Sequence, residues 1–137
     1  MSDLGQSIDL PEDFDAAIAR VTAALADEGF GVISRIDMDK AFHEKLGVDF
    51  RRYTILGACN PKLAHTAVSA HPEIGLMLPC NVTVEEAGSG ARVRLVDAEM
   101  MMGVGDLGQD PEIGALAADA KARLDRVAAA LTTAKAA

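Results

Sequence analysis

The sequence predicts an α/β protein of the α+β type. We expect a two-layer sandwich: a mixed sheet of four or five strands with helices packed on one side. Three observations lead to this fold class. Stretches of helical and strand periodicity alternate along the chain, two adjacent short strands form a predicted hairpin, and 137 residues are enough for one domain with a real core. We expect a single domain over 1–137, with a globular core at 12–131 and mobile ends at 1–8 and 132–137.

The first half of the chain alternates between helix and strand patterns. Apolar residues fall at helical spacing from Phe14 to Leu25, a carboxylate at Asp13 or Asp15 suits the helix start, and Gly29 suits its end. Tyr53 to Ala58 is nearly continuous in apolar residues, which predicts a strand buried on both faces. The predicted elements are an edge strand at 7–10, a helix from 13 to 29, a strand at 30–36, a short helix from 37 to 47 and a strand at 53–58.

The second half begins with a strong helix-start signal, because Asn60 is a good cap and Pro61 fits the first helical position. Alternating apolar and polar residues around the turn 87–90 predict the hairpin. The predicted elements are a helix at 61–70, a connection at 71–79 with a helical turn after Pro72, strands at 81–86 and 92–98, a Met- and Gly-rich connector at 99–109, and a helix from 110 to 131.

Composition and charge exclude several function classes. The chain has 13 basic and 21 acidic residues, a net charge of −8, which repels phosphate backbones and anionic lipid. We therefore expect no nucleic-acid and no membrane partner. The N-terminus has no basic region followed by an apolar run, so it does not predict a signal peptide. We expect a cytoplasmic protein, in which thiols stay reduced.

The most informative stretch is 53–86, which holds both cysteines and both copies of the dipeptide Cys-Asn. Whether Cys59 and Cys80 meet depends on strand direction. If the strands that carry them run parallel, the two thiols lie at opposite ends of the sheet; if 71–79 carries the chain back, they share one edge. Nine residues span up to roughly 30 Å, so the return path is feasible and we favour it.

A small-ligand site is the first functional hypothesis. Cys59 immediately precedes a predicted helix N-terminus, where free N–H groups and the positive end of the helix dipole favour a small molecule with negative charge. Lys62 adds a positive charge in the first turn. This hypothesis describes an uncharacterised binding or interaction domain without a predicted reaction or catalytic residue. The predicted ligand-binding residues are Cys59, Asn60, Lys62, Cys80 and Asn81.

A thiol-dependent protein is the alternative. Cys59 and Cys80 could form a redox couple, which requires Cα atoms within about 7 Å. They could also bind Zn or Cu with His65, and with a methionine from 100–102, since thiolate and thioether ligands suit soft metals. The competing interpretation of both cysteines is plain core packing, because free cysteine is among the most buried residue types.

Several separated stretches resemble the domain of unknown function 302 (DUF302) family. They are ILGACNP at 55–61, PEIGLMLPCNVTVEE at 72–86 and AEMMMGV at 98–104, together with Gly29-Phe30 and the turn at 45–49. The resemblance covers about 12–131. It implies a compact α/β domain, commonly a homodimer, with no established reaction. In many members of the family, an apolar residue or Gly stands at the position of Cys59, and Leu stands at the position of Cys80. The resemblance therefore implies that the cysteine pair marks a subgroup.

Overall fold

The computed structural model describes residues 3–133; residues 1–2 and 134–137, which belong to the ends expected to be mobile, lie outside the described part. The strands are β1 (Gly5–Leu10), β2 (Gly31–Asp37), β3 (Tyr53–Cys59), β4 (Cys80–Ala87) and β5 (Gly90–Val96). The helices are α1 (Phe14–Asp27), α2 (Met38–Leu46), α3 (Pro61–Ala70), α4 (Ala98–Met102) and α5 (Pro111–Thr132), with 3-10 segments at Pro72–Met77 and Gly105–Gln109. Part of the N-terminal segment expected to be mobile, Gly5 to Ile8, is paired in β1.

The two-layer α+β sandwich is confirmed, with one correction to its sheet. The five strands are ordered β1-β5-β4-β3-β2, and every neighbouring pair is antiparallel, so the sheet is not mixed. The reason lies in the connections. Each of α2 and α3 is followed by a segment that returns the chain to the end of the sheet where the helix began, instead of forming a complete parallel crossover.

One face of the sheet carries the core. Alternate residues of β3, β4 and β5 are buried there, as the strand period of two requires. The opposite face, which we call the open face, has half-buried and exposed side chains, so β3 is not buried on both faces as predicted. Tyr53 and Ile55 are half-buried on the open face. The core residues of these three strands are Thr54, Leu56, Ala58, Cys80, Val82, Val84, Ala91, Val93 and Leu95.

Helices α1 and α5 cover the core face, and their ends follow from local chemistry. Asp13 caps α1 by accepting a hydrogen bond from the N–H of Ala16 at 2.9 Å, and Gly29 follows the helix with a positive φ of 85°. Helix α5, which is 22 residues and about 33 Å long, buries one apolar stripe: Ile113, Ala117, Ala120, Leu124, Val127, Ala128 and Leu131. Among residues 3–133, no helix is long and apolar enough to cross a membrane.

The connector predicted at 99–109 contains two structured pieces that the sequence pattern did not reveal. Helix α4 is only five residues long, too short for helical periodicity to show, and it is capped by Asp97, which accepts a hydrogen bond from the N–H of Met100. Its Met101 and Met102 side chains are buried. The connector is therefore part of the core and forms one wall of the cavity described below.

Gly57 provides a test of the packing at the end of β3. A Cβ at this position would lie 2.2 Å from Ser34 Oγ and 2.7 Å from the ring of Pro79. We expect Gly57→Ala to lower the free energy of unfolding by about 1–3 kcal/mol, as overpacking does, measured by urea denaturation. Gly31→Ala is the matched control, because no atom lies within 4 Å of its added Cβ. Equal stability of the two variants would contradict this account.

Candidate functional site

An apolar cavity of about 270 Å³ opens to solvent on the core side of the sheet, where β3 ends and β4 begins. Its floor is the sheet end, one wall is α3, and the remaining walls come from the segment after α3 and from α4 and α5. Asn60 is the only residue in the lining with a polar amide or charged side chain. The lining consists of Phe30, Ile33, Ala58, Cys59, Asn60, Leu63, Ala64, Ala67, Val68, Gly75, Leu78, Pro79, Cys80, Met102, Leu116 and Ala120.

The two cysteines come together at this cavity. In the β3–β4 ladder Ala58 lies directly opposite Cys80, so Cys59 and Cys80 are one residue out of register on adjacent strands. This arrangement confirms the expected return of the chain through 71–79. Both are free thiols, with Cys59 half-buried and Cys80 buried. Burial raises the pKa of Cys80 to about 11, with a further contribution from the charge of Cys59. Cys80 is therefore a neutral thiol at physiological pH.

Asn60 fixes the start of α3. Its Oδ1 accepts a hydrogen bond from the N–H of Leu63 at 3.2 Å, which is the cap predicted from the Asn-Pro pair. The amide nitrogen of the same side chain lies against Gly29, where an added Cβ would approach it to 2.9 Å. The polar group of Asn60 thus serves the helix start, although the residue also contributes to the cavity wall.

The structure does not bring all predicted site residues together. Cys59, Asn60 and Cys80 line the cavity, whereas Lys62 and His65 are exposed on α3 and do not line it. Asn81 lies on the open face, because successive residues of β4 point to opposite sides. Within residues 3–133, no group of three His, Cys, Asp or Glu side chains is placed to hold a metal ion. The predicted ligand set of two cysteines and His65 is not assembled.

Met102 of α4 belongs to the stretch 100–102, from which the sequence offers a methionine as a possible ligand, and it lines the cavity. Phe30 before β2 and Leu116 and Ala120 of α5 also line the cavity, and no sequence signal indicates them. These three are ordinary apolar residues far away along the chain. Their contribution depends on how α5 packs across the sheet end, which no local pattern reports.

An ion pair joins two walls of the cavity. His71, which ends α3 and precedes the 3-10 segment, contacts Asp110 through Nε2 and Glu73 through Nδ1. Asp110 also caps α5 by accepting a hydrogen bond from the N–H of Glu112 at 2.8 Å. The hydrogen bond with Asp110 raises the pKa of His71, and the same contact lowers the pKa of Asp110. One carboxylate therefore fixes the start of α5 and the end of α3.

Comparisons with known proteins agree with the fold. The profile of a family described as "Domain of unknown function DUF302" matches residues 6–131. The chain is similar to the crystal structure of an uncharacterised conserved DUF302 protein from Bacillus stearothermophilus, with 27% identity and a TM-score of 0.78. That similarity covers 95% of this chain and 97% of the other. No curated protein matches the sequence.

The His71–Asp110 pair predicts a pH dependence of stability. A histidine whose pKa is raised on folding stabilises the folded state fully below its unfolded pKa, which is about 6.5. This stabilisation is lost as the pH rises through the pKa of the histidine in the folded state. We therefore expect the free energy of unfolding to fall as the pH rises above about 6.5. His71→Gln should flatten this slope, while the control His65→Gln, an exposed histidine of the same helix, should retain it. Urea denaturation at several pH values measures the slope, and an unchanged slope in His71→Gln would exclude this pair as its source.

Proposed function

Because this chain belongs to the DUF302 family, whose description gives no activity, we propose its function from the geometry of the cavity: the protein binds a small apolar molecule at the Cys59 end of β3. One observation carries this proposal. The cavity of about 270 Å³ is lined almost wholly by apolar side chains and opens to solvent. Apolar pockets with few polar groups are the usual sites for small ligands.

The size of the cavity limits the ligand. Drug-sized molecules occupy pockets of about 300–1,000 Å³, so 270 Å³ favours a smaller molecule. An apolar cavity of about 150 Å³ is large enough for benzene. Burial in such a site contributes roughly 25 cal/mol for each Å² of apolar surface removed from water. A monocyclic or short-chain apolar molecule therefore fits both the volume and the chemistry.

The mouth of the cavity supports access from solvent. Ile33 and Val68 in the lining are 65% and 40% exposed, and Leu76 on the adjacent 3-10 segment is 87% exposed. Exposed apolar side chains beside a concave site are a common feature of ligand and partner surfaces. Cys59, half-buried in the same lining, would lose accessibility when a ligand enters.

We also propose a homodimer, as the family resemblance implies, and a cytoplasmic location, where thiols such as those of Cys59 and Cys80 stay reduced. Leu76, which is 87% exposed and does not line the cavity, supports the dimer, because association would remove its side chain from water. The net charge of −8 supports a function that does not involve binding to nucleic acid. Sedimentation of the purified protein gives its oligomeric state directly.

Filling the cavity tests ligand binding. Ala64 is half-buried in the lining, so Ala64→Leu should occupy the cavity without displacing the core. With fluorobenzene as the probe, we expect ¹⁹F NMR to show millimolar or tighter binding to the wild type. The variant should bind at least about tenfold more weakly, a loss of about 1.4 kcal/mol.

Thr66→Leu is the matched control for this substitution, because it adds the same side chain on the exposed side of the same helix. It should leave fluorobenzene binding unchanged. The probe should also slow alkylation of Cys59 by iodoacetamide in the wild type. Absence of binding to the wild type, or equal binding by the Ala64 and Thr66 variants, would overturn the proposal.

A thiol site is the second candidate function, because Cys59 and Cys80 lie on adjacent strands and line the same cavity. For a metal, Met102 replaces His65 as the third potential ligand. Two thiolates and a thioether are soft donors that suit Cu(I), whereas a structural Zn site requires four ligands. Metal binding would release protons from the thiols, including the high-pKa thiol of Cys80.

The redox form of this candidate uses the same two residues. The Cys59 thiolate would attack a disulfide such as oxidised glutathione and release one glutathione thiolate. Cys80 would then lose its proton to solvent and displace the second glutathione, which leaves a Cys59–Cys80 disulfide. Because burial raises the pKa of Cys80 to about 11, we expect this second step to be the slow one.

Anaerobic titration with Cu(I) against a chromophoric chelator tests the metal form. We expect one equivalent to bind, and Cys59→Ser or Cys80→Ser to abolish binding. Met102→Leu should weaken it, while the control Met100→Leu should not, since Met100 is exposed and does not line the cavity. If Cu(I) does not bind and oxidised glutathione produces no intramolecular disulfide, both cysteines are packing residues.

A further inference from the structure

A second pocket, of about 540 Å³, lies on the open face of the sheet, away from the cavity with the cysteines. The strand register explains which residues line it. Ser7, Arg94 and Thr83 lie side by side across β1, β5 and β4. Beside them lie Gly5 and Val96, which are directly opposite each other in the ladder. Tyr53 and Asn81 complete the part of the lining that can form hydrogen bonds.

A network of arginines and carboxylates borders this pocket. Glu85 is buried, and its carboxylate accepts hydrogen bonds from Arg94 at 2.7 Å and from Arg51 at 2.9 Å. Burial alone would raise the pKa of Glu85, but the two arginines lower it, so the group stays ionised. Arg92 on the same face is paired with Asp9. Asp39 also lies nearby, since its carboxylate accepts a hydrogen bond from the N–H of Tyr53. Arg94 is the one charged side chain in the pocket lining, while the whole chain carries −8.

The floor of the pocket holds a polar atom that lacks a partner. Thr83 Oγ1 is buried and has no hydrogen-bond partner among the described residues. A buried hydroxyl without a partner is unfavourable, and native proteins pair such groups with protein, water or ligand. Arg94 lies directly opposite Thr83 in the ladder and is half-exposed, so both side chains belong to the same pocket.

We propose that this open-face pocket binds a small organic monocarboxylate. The guanidinium of Arg94 supplies the charge and the planar donors that match a carboxylate. Asn81, Tyr53 and Thr83 supply further hydrogen-bonding groups, and Val96 gives the apolar part of the ligand a surface to contact. A single cationic side chain in the lining favours a monoanion over a di- or trianion. The site is independent of the proposed apolar-ligand cavity, because the two lie on opposite faces of β4.

Benzoate is the probe that tests this proposal, with benzamide as its neutral counterpart of the same shape. We expect calorimetry or ligand-observed NMR to show benzoate binding that is at least tenfold stronger than benzamide binding and weakens as salt is added. Arg94→Gln should reduce benzoate binding at least tenfold. Arg92→Gln, which removes the same charge from the same strand outside the pocket, should leave it within twofold.

Thr83→Val separates a binding role from a structural one. It removes the unpartnered hydroxyl while keeping the shape of the side chain, so the midpoint of unfolding should stay the same or rise while benzoate binding weakens. Asn81→Ala, at an exposed position, should weaken binding without loss of stability. These two variants keep the proposal falsifiable if Arg94→Gln does not fold.

Five outcomes would overturn the proposal, and the first four concern binding. They are no benzoate binding, equal binding of benzamide, full binding by Thr83→Val and Asn81→Ala together, or loss of binding in Ala64→Leu, which would place the probe in the cavity with the cysteines. A fifth is a dimer in sedimentation that Asn81→Trp dissociates, because the open face would then be an interface between two copies. Failure of fluorobenzene binding bears only on the apolar cavity and leaves this pocket untouched.

Discussion

The register between β3 and β4 is the constraint on which both pockets depend. Ala58 lies opposite Cys80, and Gly57 lies opposite Asn81. Since side chains alternate between the two faces of a strand, this register sends Cys80 to the core side and Asn81 to the open side. A slip of one residue would exchange the two sets and place Val82 and Val84 in solvent. The hydrophobic cost of that exchange specifies the register and, with it, the chemistry of each face.

The register in turn depends on the connection between the two strands. Helix α3 carries the chain away from the end of β3, and the 3-10 segment Pro72–Met77 brings it back. Three local features hold this path: the Asn60 cap, Pro61 in the first turn, and His71, which ends the helix in an extended conformation. Gly57 allows close approach, because the Pro79 ring and Ser34 occupy the space where a side chain would be. The polar ends of the helices therefore position the cavity, while its apolar residues fill the walls.

These local features explain what the sequence could predict. Asn60-Pro61, Gly29 and the turn at 87–90 act through neighbouring residues, so their structures followed from short patterns. The antiparallel sheet and the α4 wall did not follow, because strand direction depends on how far a connection returns and α4 is too short to show periodicity. The sequence predicts that Cys59 and Cys80 share one edge of the sheet, and both line the cavity. Lys62, His65 and Asn81 do not line it, because the side on which a helix or strand residue lies can be assigned only when the positions of α3 and β4 are known.

The open face shows a different limit of sequence patterns. Arg92 and Arg94 alternate with buried residues of β5, which predicts only a solvated face. The sequence cannot reveal that Glu85, at an equivalent alternating position of β4, is buried beneath Arg94 and Arg51, because that contact joins residues from three separate segments. Their arrangement makes Glu85 a buried carboxylate held by two cations.

A buried ion pair of this kind contributes little net stability, because the desolvation of the charges offsets their attraction. An apolar triplet at these positions would stabilise a β-sheet face at least as well and would also be easier to bury. The polar network does something that apolar packing cannot: it holds one face of the Arg94 guanidinium against Glu85 and so orients the remaining N–H donors. Since Thr83 and Asn81 line the pocket beside Arg94, these donors would be available to the carboxylate that we propose as the ligand.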